Sequence, residues 1–519
     1  MTPLRHLAAA LRGWGRLAPG PHPWWAAGTA TVALAVPLAL ALAADAPLLA
    51  APAAFGAMSN LYGRTEPYAR RLRTQAWTGL GLTLAVLVGA VGAVLPLAGW
   101  ADVVVPALLV ALVALVAKLV TDAVRTGPPA GIIPVFATGT LTQEPLRAGQ
   151  LPLVVLVAVA GAAFATALSC SPGLLRPDGP ERGALARAAT AVLAAVEDPR
   201  RRQGALLAVH EAWGVLAGAP AGVRTPAGHW LAHAERVLHG AGADAAQPLR
   251  ALLPVLRGRR PLPPAPTGGA QAAELLGRER VGSSRAGALR AALRPGSVHR
   301  VPAARVGTAA AASALLAAAL GLGHTHWAPV GAAAALQSPS AGVTARRALQ
   351  RAVGTLVGVA VAALLVPLAT SAPRLWLLTA VCMFAVELCM PRNYALGTVA
   401  ITALSLLLTR LGASGAAVPS LLADRVGDTL VGVGVGVLVA VLVRNRPASR
   451  ALAGALVSLE RSSAGDDPHA LRRDLLALRD AHERWIDDSW EAAGVPGPRE
   501  RVERAEELGH RRLGELLGR

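Results

Sequence analysis

The stretch TARRALQRAVGTLVGVAVAALL, Thr344 to Leu365, sets three arginines and a glutamine directly against an apolar run that carries no charge. A helix needs about 20 apolar residues to cross the hydrocarbon core of a bilayer, and arginines gather where it leaves the core on the cytoplasmic side. The edge at Arg351 therefore reads as a membrane–water boundary. Composition extends that reading to the whole chain: of 519 residues, 54% are hydrophobic and 16% charged, and the mean hydropathy is +0.47. An ordinary soluble domain is far less apolar.

Working outward from this edge, apolar segments are predicted at 24–43, 47–61, 75–97, 102–121, 130–143 and 150–170, and again at 303–323, 327–339, 350–369, 374–390, 393–410 and 422–443. The expected fold is all-α, a polytopic membrane protein of about 12 transmembrane helices in two six-helix halves. With the N-terminus inside, the turns carrying Arg64, Arg70, Arg71 and Arg73, then Arg125, Arg346 and Arg347, Arg392, and Arg444 and Arg446, all fall on the cytoplasmic side. Turns such as LPLAGWAD and LGASGAAVPS fall outside with hardly a basic residue, as the positive-inside rule requires. Both termini are expected in the cytoplasm. The N-terminus imitates a signal peptide, with Arg5, Arg12 and Arg16 before Trp24 to Ala43, but the later counterpart of this segment favours an uncleaved span.

The halves resemble each other. Arg71, Gln75 and Gly79 align with Arg346, Gln350 and Gly354 at an offset of 275 residues, and LRAGQ at 146–150 aligns with DRVGD at 424–428, setting Arg147 opposite Arg425 at an offset of 278. Six spans per half joined through the cytoplasm make the repeats parallel. Four regions follow: a first transmembrane half at 1–170, a cytoplasmic helical insert at 171–300, a second transmembrane half at 301–446 and a cytoplasmic helical tail at 447–519. The insert mixes helical runs such as RGALARAATAVLAAVE with the proline-rich RGRRPLPPAPTGG. Apolar residues at three and four spacing, with opposite charges one turn apart, make the tail a solvated bundle or hairpin.

The formal charge of +19 raises the question of nucleic acid, but the basic residues sit in turns beside apolar spans and in the insert, where anionic lipid headgroups attract them. The lipid bilayer, not nucleic acid, is the expected partner. Cys170, Cys382 and Cys389 are too few for a disulfide framework or a metal site. His229 and His233 share a helical face but lack the glutamate of a zincin motif, and neither a phosphate-binding loop nor a dinucleotide fingerprint occurs. The chain is expected to be no enzyme, with no cofactor and no metal.

Charges inside spans are the informative residues, since each costs at least roughly 2.5–3.5 kcal/mol in hydrocarbon unless a partner or a cavity receives it. Lys118, the only lysine, lies in the fourth span with Asp122 one turn on, so a helical ion pair stands beside a role on a transport path. Glu387 in FAVELCMPRNY has no partner in its own helix except Arg392 beyond the proline. Glu387 and Asp122 are the candidates for proton coupling. Arg147 and Arg425 could line an anion path or simply anchor the outer interface, and Gly354, Gly358, Gly427, Gly432, Gly434 and Gly436 permit close helix approach.

Together, RRALQRAVGTLVG (346–358) and DRVGDTLVGVGVG (424–436), in a chain of membrane half, soluble helices and membrane half, resemble the fusaric acid resistance family, which includes bacterial aromatic acid exporters. The resemblance implies an inner-membrane transporter of bacteria that moves small organic anions, such as aromatic carboxylates, out of the cytoplasm. It marks Arg347, Gln350, Arg351, Gly354, Thr355, Gly358, Asp428 and Gly432 as motif residues. Plant anion channels of the malate-transporting type look like distant relatives in which basic residues of the last span are associated with the anion path. That similarity selects Arg425, and through the repeat Arg147, with Lys118 as a further path residue. A passive anion channel and a membrane scaffold recruiting partners through its soluble helices are the alternatives, and a homo-oligomer or an accessory protein is a candidate assembly.

Overall fold

The computed structural model describes residues 17, 23–198, 201–238, 244–258, 260–266, 285–336, 341–412, 418–443, 446–488 and 496–518. The arginines at positions 5, 12, 16, 200, 259 and 444 lie outside them, as does the middle of the connector after the insert.

Among the described residues the chain is helical throughout, with no strand. The first half contains α1 (Trp24–Ala43), α2 (Ala50–Ala57, continued by a tight turn Met58–Leu61), α3 (Tyr68–Val94), α4 (Ala101–Val124), α5 (Ile132–Leu141) and α6 (Leu151–Cys170). The soluble helices of the insert are α7 (Gly179–Glu197), α8 (Arg202–Leu216), α9 (Ala221–Leu238), α10 (Gln247–Arg257) and α11 (Arg285–Leu293). Then come α12 (Arg300–Ala319), α13 (Trp327–Leu336), α14 (Ala341–Leu365), α15 (Ala372–Cys389), α16 (Tyr394–Gly412) and α17 (Val418–Leu442), followed by α18 (Arg446–Ser463), α19 (Pro468–Asp488) and α20 (Pro496–Gly518).

Eight segments in the described residues are long and apolar enough to cross a membrane. Of the twelve spans expected, those at α2, α5, α13 and α16 are not among these eight. At 1.5 Å per residue, the 10-residue α5 and α13 extend about 15 Å, half the hydrocarbon thickness. A helix that stops halfway leaves polar backbone and turn residues that the protein itself must enclose. Short helices therefore border the polar interior described below, together with the long α14 and α17.

The long helices turn an apolar stripe outward. Val32, Val36 and Leu40 on α1, Leu108, Leu112 and Val116 on α4, and Leu430, Leu438 and Val441 on α17 are all exposed. Such stripes would be a liability in water and are natural against lipid. Facing inward are alanines, glycines and the polar residues. The halves meet where α4 packs on α12, α1 on α15 and α5 on α13. Trp376 of α15 donates its indole N–H to the Ala35 carbonyl of α1 at 2.8 Å. One mixed core joins Ala30, Leu34 and Ala54 to Trp327, Cys382, Met383 and Leu404.

Two helix crossings recur. In the first half α2 lies on α6, with Gly56 against the Ala158 carbonyl and Gly161 against the Ala53 carbonyl. In the second half α13 lies on α17, with Gly331 against the Thr429 carbonyl and Gly432 against the Ala328 carbonyl. Ala53 and Ala328 keep the offset of 275, whereas Gly161 and Gly432 are 271 apart. This register sets Arg425 opposite Val154, not opposite Arg147. The string alignment of Arg147 with Arg425 is thus shifted by about two helical turns, because close backbone approach at glycine, and not the arginine, sets how these helices cross.

The soluble helices form two cores of their own. One centres on Leu185, Trp213, Leu231 and Leu252 of α7–α10, the other on Leu459, Leu471, Leu478 and Val502 of α18–α20.

Candidate functional site

The end of the membrane bundle away from the soluble helices is built from the turns around Asp45, Glu144 and Leu322, and here the shortness of α2, α5 and α13 opens a cavity of about 150 Å³. From the first half it is lined by Ala50, Ala54 and Phe55 of α2, Phe136 and Thr140 of α5, and Gln143 and Glu144 of the next turn. The second half contributes His324 and His326 from the turn before α13, and Ser405 and Thr409 of α16.

The turn GLGHTHW delivers these histidines. Gly321 ends α12 in a left-handed conformation, φ +73°, which only glycine adopts without strain, so the chain doubles back and α13 begins at Trp327. His324 Nδ1 lies 2.8 Å from Asp424 Oδ2 of α17 and the imidazole stacks on Trp327 at 5.0 Å and 15°. His326, only 5% exposed, sits against α5, where Gly139 leaves room for it. Neither of its ring nitrogens has a protein partner.

Behind this turn, the Arg425 guanidinium lies over the opposite part of the same tryptophan, 4.7 Å from the ring centroid. Arg425 is 3% exposed. Its Nε and Nη1 and both carboxylate oxygens of Asp428, one turn farther along α17, are buried without a protein partner. Arg351 of α14, itself buried, is near enough for its positive charge to act on Arg425. It donates weakly to the Tyr394 hydroxyl at 3.4 Å. Buried polar atoms are almost always hydrogen-bonded, so a cluster with this many open valences is arranged for water or for a ligand. A cation–π contact leaves the edge of the guanidinium free to donate in its own plane.

The first half has no such cluster. In the register set by the crossings, His324, His326, Asp424, Arg425 and Asp428 stand where Leu49, Ala51, Leu153, Val154 and Val157 stand in the first half, and Arg351 where Ala76 stands. The polar centre is therefore one-sided and lies against an apolar counterpart.

Among the residues singled out by sequence, Arg425, Arg351 and Asp428 come together. Arg147 is exposed at the turn before α6, where its backbone N–H donates to Gln150 Oε1 at 2.8 Å, and is no member of the cluster. Lys118 pairs with Asp122 at 3.0 Å along α4, at the end of the bundle near the soluble helices. Glu387 does have a partner, but it is Arg64 of the first half rather than Arg392, and this ion pair ties α15 to the turn after α2. Gln350 and Thr355 are buried. Arg347 lies 5.6 Å from the Tyr394 ring, and Gly354, Gly358 and Gly432 are helix-crossing positions where a Cβ would meet Ala395, Thr402 and Ala328. The residues that sequence reasoning missed are His324, His326, Trp327 and Glu144. Two histidines and a tryptophan directly after a glycine turn between apolar spans, GHTHW, were the available signal.

Residues 310–439 match the family described as fusaric acid resistance protein-like. Over this segment the chain is similar to that family. The fusaric acid resistance-like segment contains His324, His326, Trp327, Arg351, Asp424, Arg425 and Asp428, hence every member of the polar cluster except the first-half residues of the cavity wall. The chain is also similar to an uncharacterized membrane protein of Bacillus subtilis (strain 168), YvaC, at 28% identity over 183 residues, which cover 33% of this chain and 29% of that relative. The match thus spans less than a third of the relative's own length. No solved structure matches the chain. Fusaric acid resistance-like sequence and eight membrane-length helices together make this a multi-span membrane protein. Among the described residues no group of three His, Cys, Asp or Glu side chains is arranged to hold a metal ion.

Proposed function

We propose that this protein is a transporter of the bacterial cytoplasmic membrane that carries small organic anions, aromatic carboxylates foremost, out of the cytoplasm. The observation that carries the proposal is Arg425. It is a guanidinium buried between helices, stacked on Trp327, with two N–H donors unclaimed by protein and a second arginine close by. Two like charges repel strongly in a medium of low dielectric constant, and Asp428 offsets only one of them. A carboxylate placed against an open nitrogen of Arg425 would offset the other and accept a charge-assisted hydrogen bond from it. An aromatic body would find the ring of Phe136 and the apolar wall of α2 in the adjoining cavity. An inside-negative membrane potential favours the outward movement of such an anion.

The twelve-helix, two-repeat arrangement belongs to this proposal. The recurring glycine crossings support it, and transport would proceed by rocking one half against the other about the polar centre. Both termini and all soluble helices then lie in the cytoplasm, and the cavity faces outward.

The test is uptake of radiolabelled benzoate into everted vesicles that hold the protein, compared with vesicles holding Arg425→Gln and Arg147→Gln. Loss of charge-assisted hydrogen bonds worth roughly 1.5–3 kcal/mol should lower uptake by Arg425→Gln about tenfold or more and leave Arg147→Gln near the parent rate. Equal uptake by all three would remove Arg425 from the path. Absence of anion uptake by correctly inserted protein would favour the scaffold reading, and uptake that follows the membrane potential without saturating would favour a channel.

A further inference from the structure

The anion reading uses Arg425, Trp327 and Arg351 and leaves the cavity in front of them unexplained. Thr140 Oγ1, Glu144 Oε2 and both ring nitrogens of His326 are buried there without a protein partner, and all three residues line the same space. They come from opposite halves, Thr140 and Glu144 from the first and His326 from the second. At about 30 Å³ per water, a cavity of about 150 Å³ holds a handful of waters, enough to join a carboxyl group to an imidazole. No salt bridge among the described contacts holds Glu144 in one protonation state, whereas burial, and then the nearby His324 and Arg425, keep His326 neutral by holding it well below the usual imidazole range.

We infer that this cavity is a proton-binding site, with Glu144 as its proton carrier and His326 as a neutral partner reached through water, and that protonation there strengthens binding of the anion at Arg425. This rests on the anion reading for its second clause only. The titratable and charged groups facing the site are Glu144 from the α5–α6 turn, His324 and His326 from the α12–α13 turn, and Asp424, Arg425 and Asp428 from α17 behind that turn. The cavity wall formed by α2 and α16 contributes none. Asp424 is already engaged by His324 at 2.8 Å. A proton taken from the outer solvent by Glu144 removes a negative charge from the cavity, which makes the site more attractive to an anion. Linkage makes the effect reciprocal, so a bound anion raises proton affinity in turn. Burial supports the assignment by pushing Glu144 up to about 7, where a change of pH near neutrality shifts its charge. The sign is that of a raised carboxyl group: neutral and favourable to the anion below pH 7, charged and opposed to it above.

Two measurements on full-length protein in detergent separate the clauses. Dicyclohexylcarbodiimide reacts with a protonated carboxyl group in an apolar setting, and labelling of Glu144, followed by peptide mass spectrometry, should be strong at pH 6 and weak at pH 8. Labelling that does not change with pH, or that never reaches Glu144, overturns the proton site. Calorimetric titration with benzoate should show affinity about 5- to 10-fold higher at pH 6 than at pH 8, within the usual range of coupling between sites. Glu144→Gln should flatten that dependence while still binding benzoate, and His326→Gln should keep it. A pH dependence unchanged in Glu144→Gln overturns the coupling. Labelling of Glu144 that follows pH in protein that binds no benzoate at any pH would uphold the proton site and count against the anion reading alone.

Discussion

At the scale of single residues, the decisive distinction is between charges that are satisfied and charges that are not. Glu387 and Lys118 both look costly when read in their own spans, yet each has a partner: Arg64 for Glu387 and Asp122 for Lys118. These pairs hold helices in place. Glu387→Gln should destabilise the folded protein by roughly 1–3 kcal/mol, since it strands part of a half-buried guanidinium. The double variant Arg64→Gln/Glu387→Gln should lose less than the sum of the two single changes, which a double-mutant cycle of thermal unfolding in detergent would show. Transport by Glu387→Gln that has lost its pH dependence, with stability unaltered, would instead return Glu387 to the coupling role suggested by its place in the sequence. The ion pair of Lys118 was legible at the outset because its partner is one turn away. The partner of Glu387 was not, because it lies 323 residues away.

For whole elements, the glycines of α17 separate packing from exposure within half a turn. A Cβ at Gly432 would fall on the carbonyl of Ala328 and near the backbone nitrogen of Ala332, whereas Gly434 has open space around it. Gly432→Leu should therefore force α13 off α17. Overpacking of a tight interface costs about 1–3 kcal/mol or more, and here the obstacle is backbone that cannot turn aside. Gly434→Leu should leave the monodisperse fraction in size-exclusion chromatography unchanged, because its side chain meets lipid. Equal loss of folded protein in both variants would mean that the α13–α17 crossing does not depend on Gly432. Which of the glycines in DRVGDTLVGVGVG packs could not be known from their spacing alone, since a helix covered with glycine on two faces presents two candidate seams.

For the molecule as a whole, the soluble helices are coupled to each other and to the membrane part by specific ion pairs. Arg472 of α19 meets Glu235 of α9 at 2.7 Å, with both side chains nearly buried, and its guanidinium lies over Trp213 of α8 at 5.1 Å. Arg125, at the end of α4, reaches Asp480 of α19 at 2.5 Å. Thus the tail touches both the insert and the membrane half that precedes it. Glu235→Arg should free the tail and speed its cleavage by trypsin several-fold, and the exchange Glu235→Arg/Arg472→Glu should restore much of the protection. No change in the rate of cleavage in the single variant would show that apolar contacts alone hold the tail in place.

Membrane insertion, the helical class and the places where charge meets hydrocarbon were determined by the sequence by itself, because each depends on local composition over a window about as long as the bilayer is thick. The first span begins at Trp24, as read from the residues alone, but Arg351, which reads as a membrane–water boundary, is buried within α14 near Arg425. The halving of α5 and α13, the union of GHTHW with DRVGD, and the partnership of Arg64 with Glu387 were decided only in three dimensions. The sequence repeat pointed to Arg147 as the twin of Arg425, but the glycine crossings put an apolar valine there. The physical reason is the same in each case: a buried charge is assigned its role by whatever surrounds it, and at Arg425 those neighbours come from α13, α14 and α17, which only tertiary packing brings to one point.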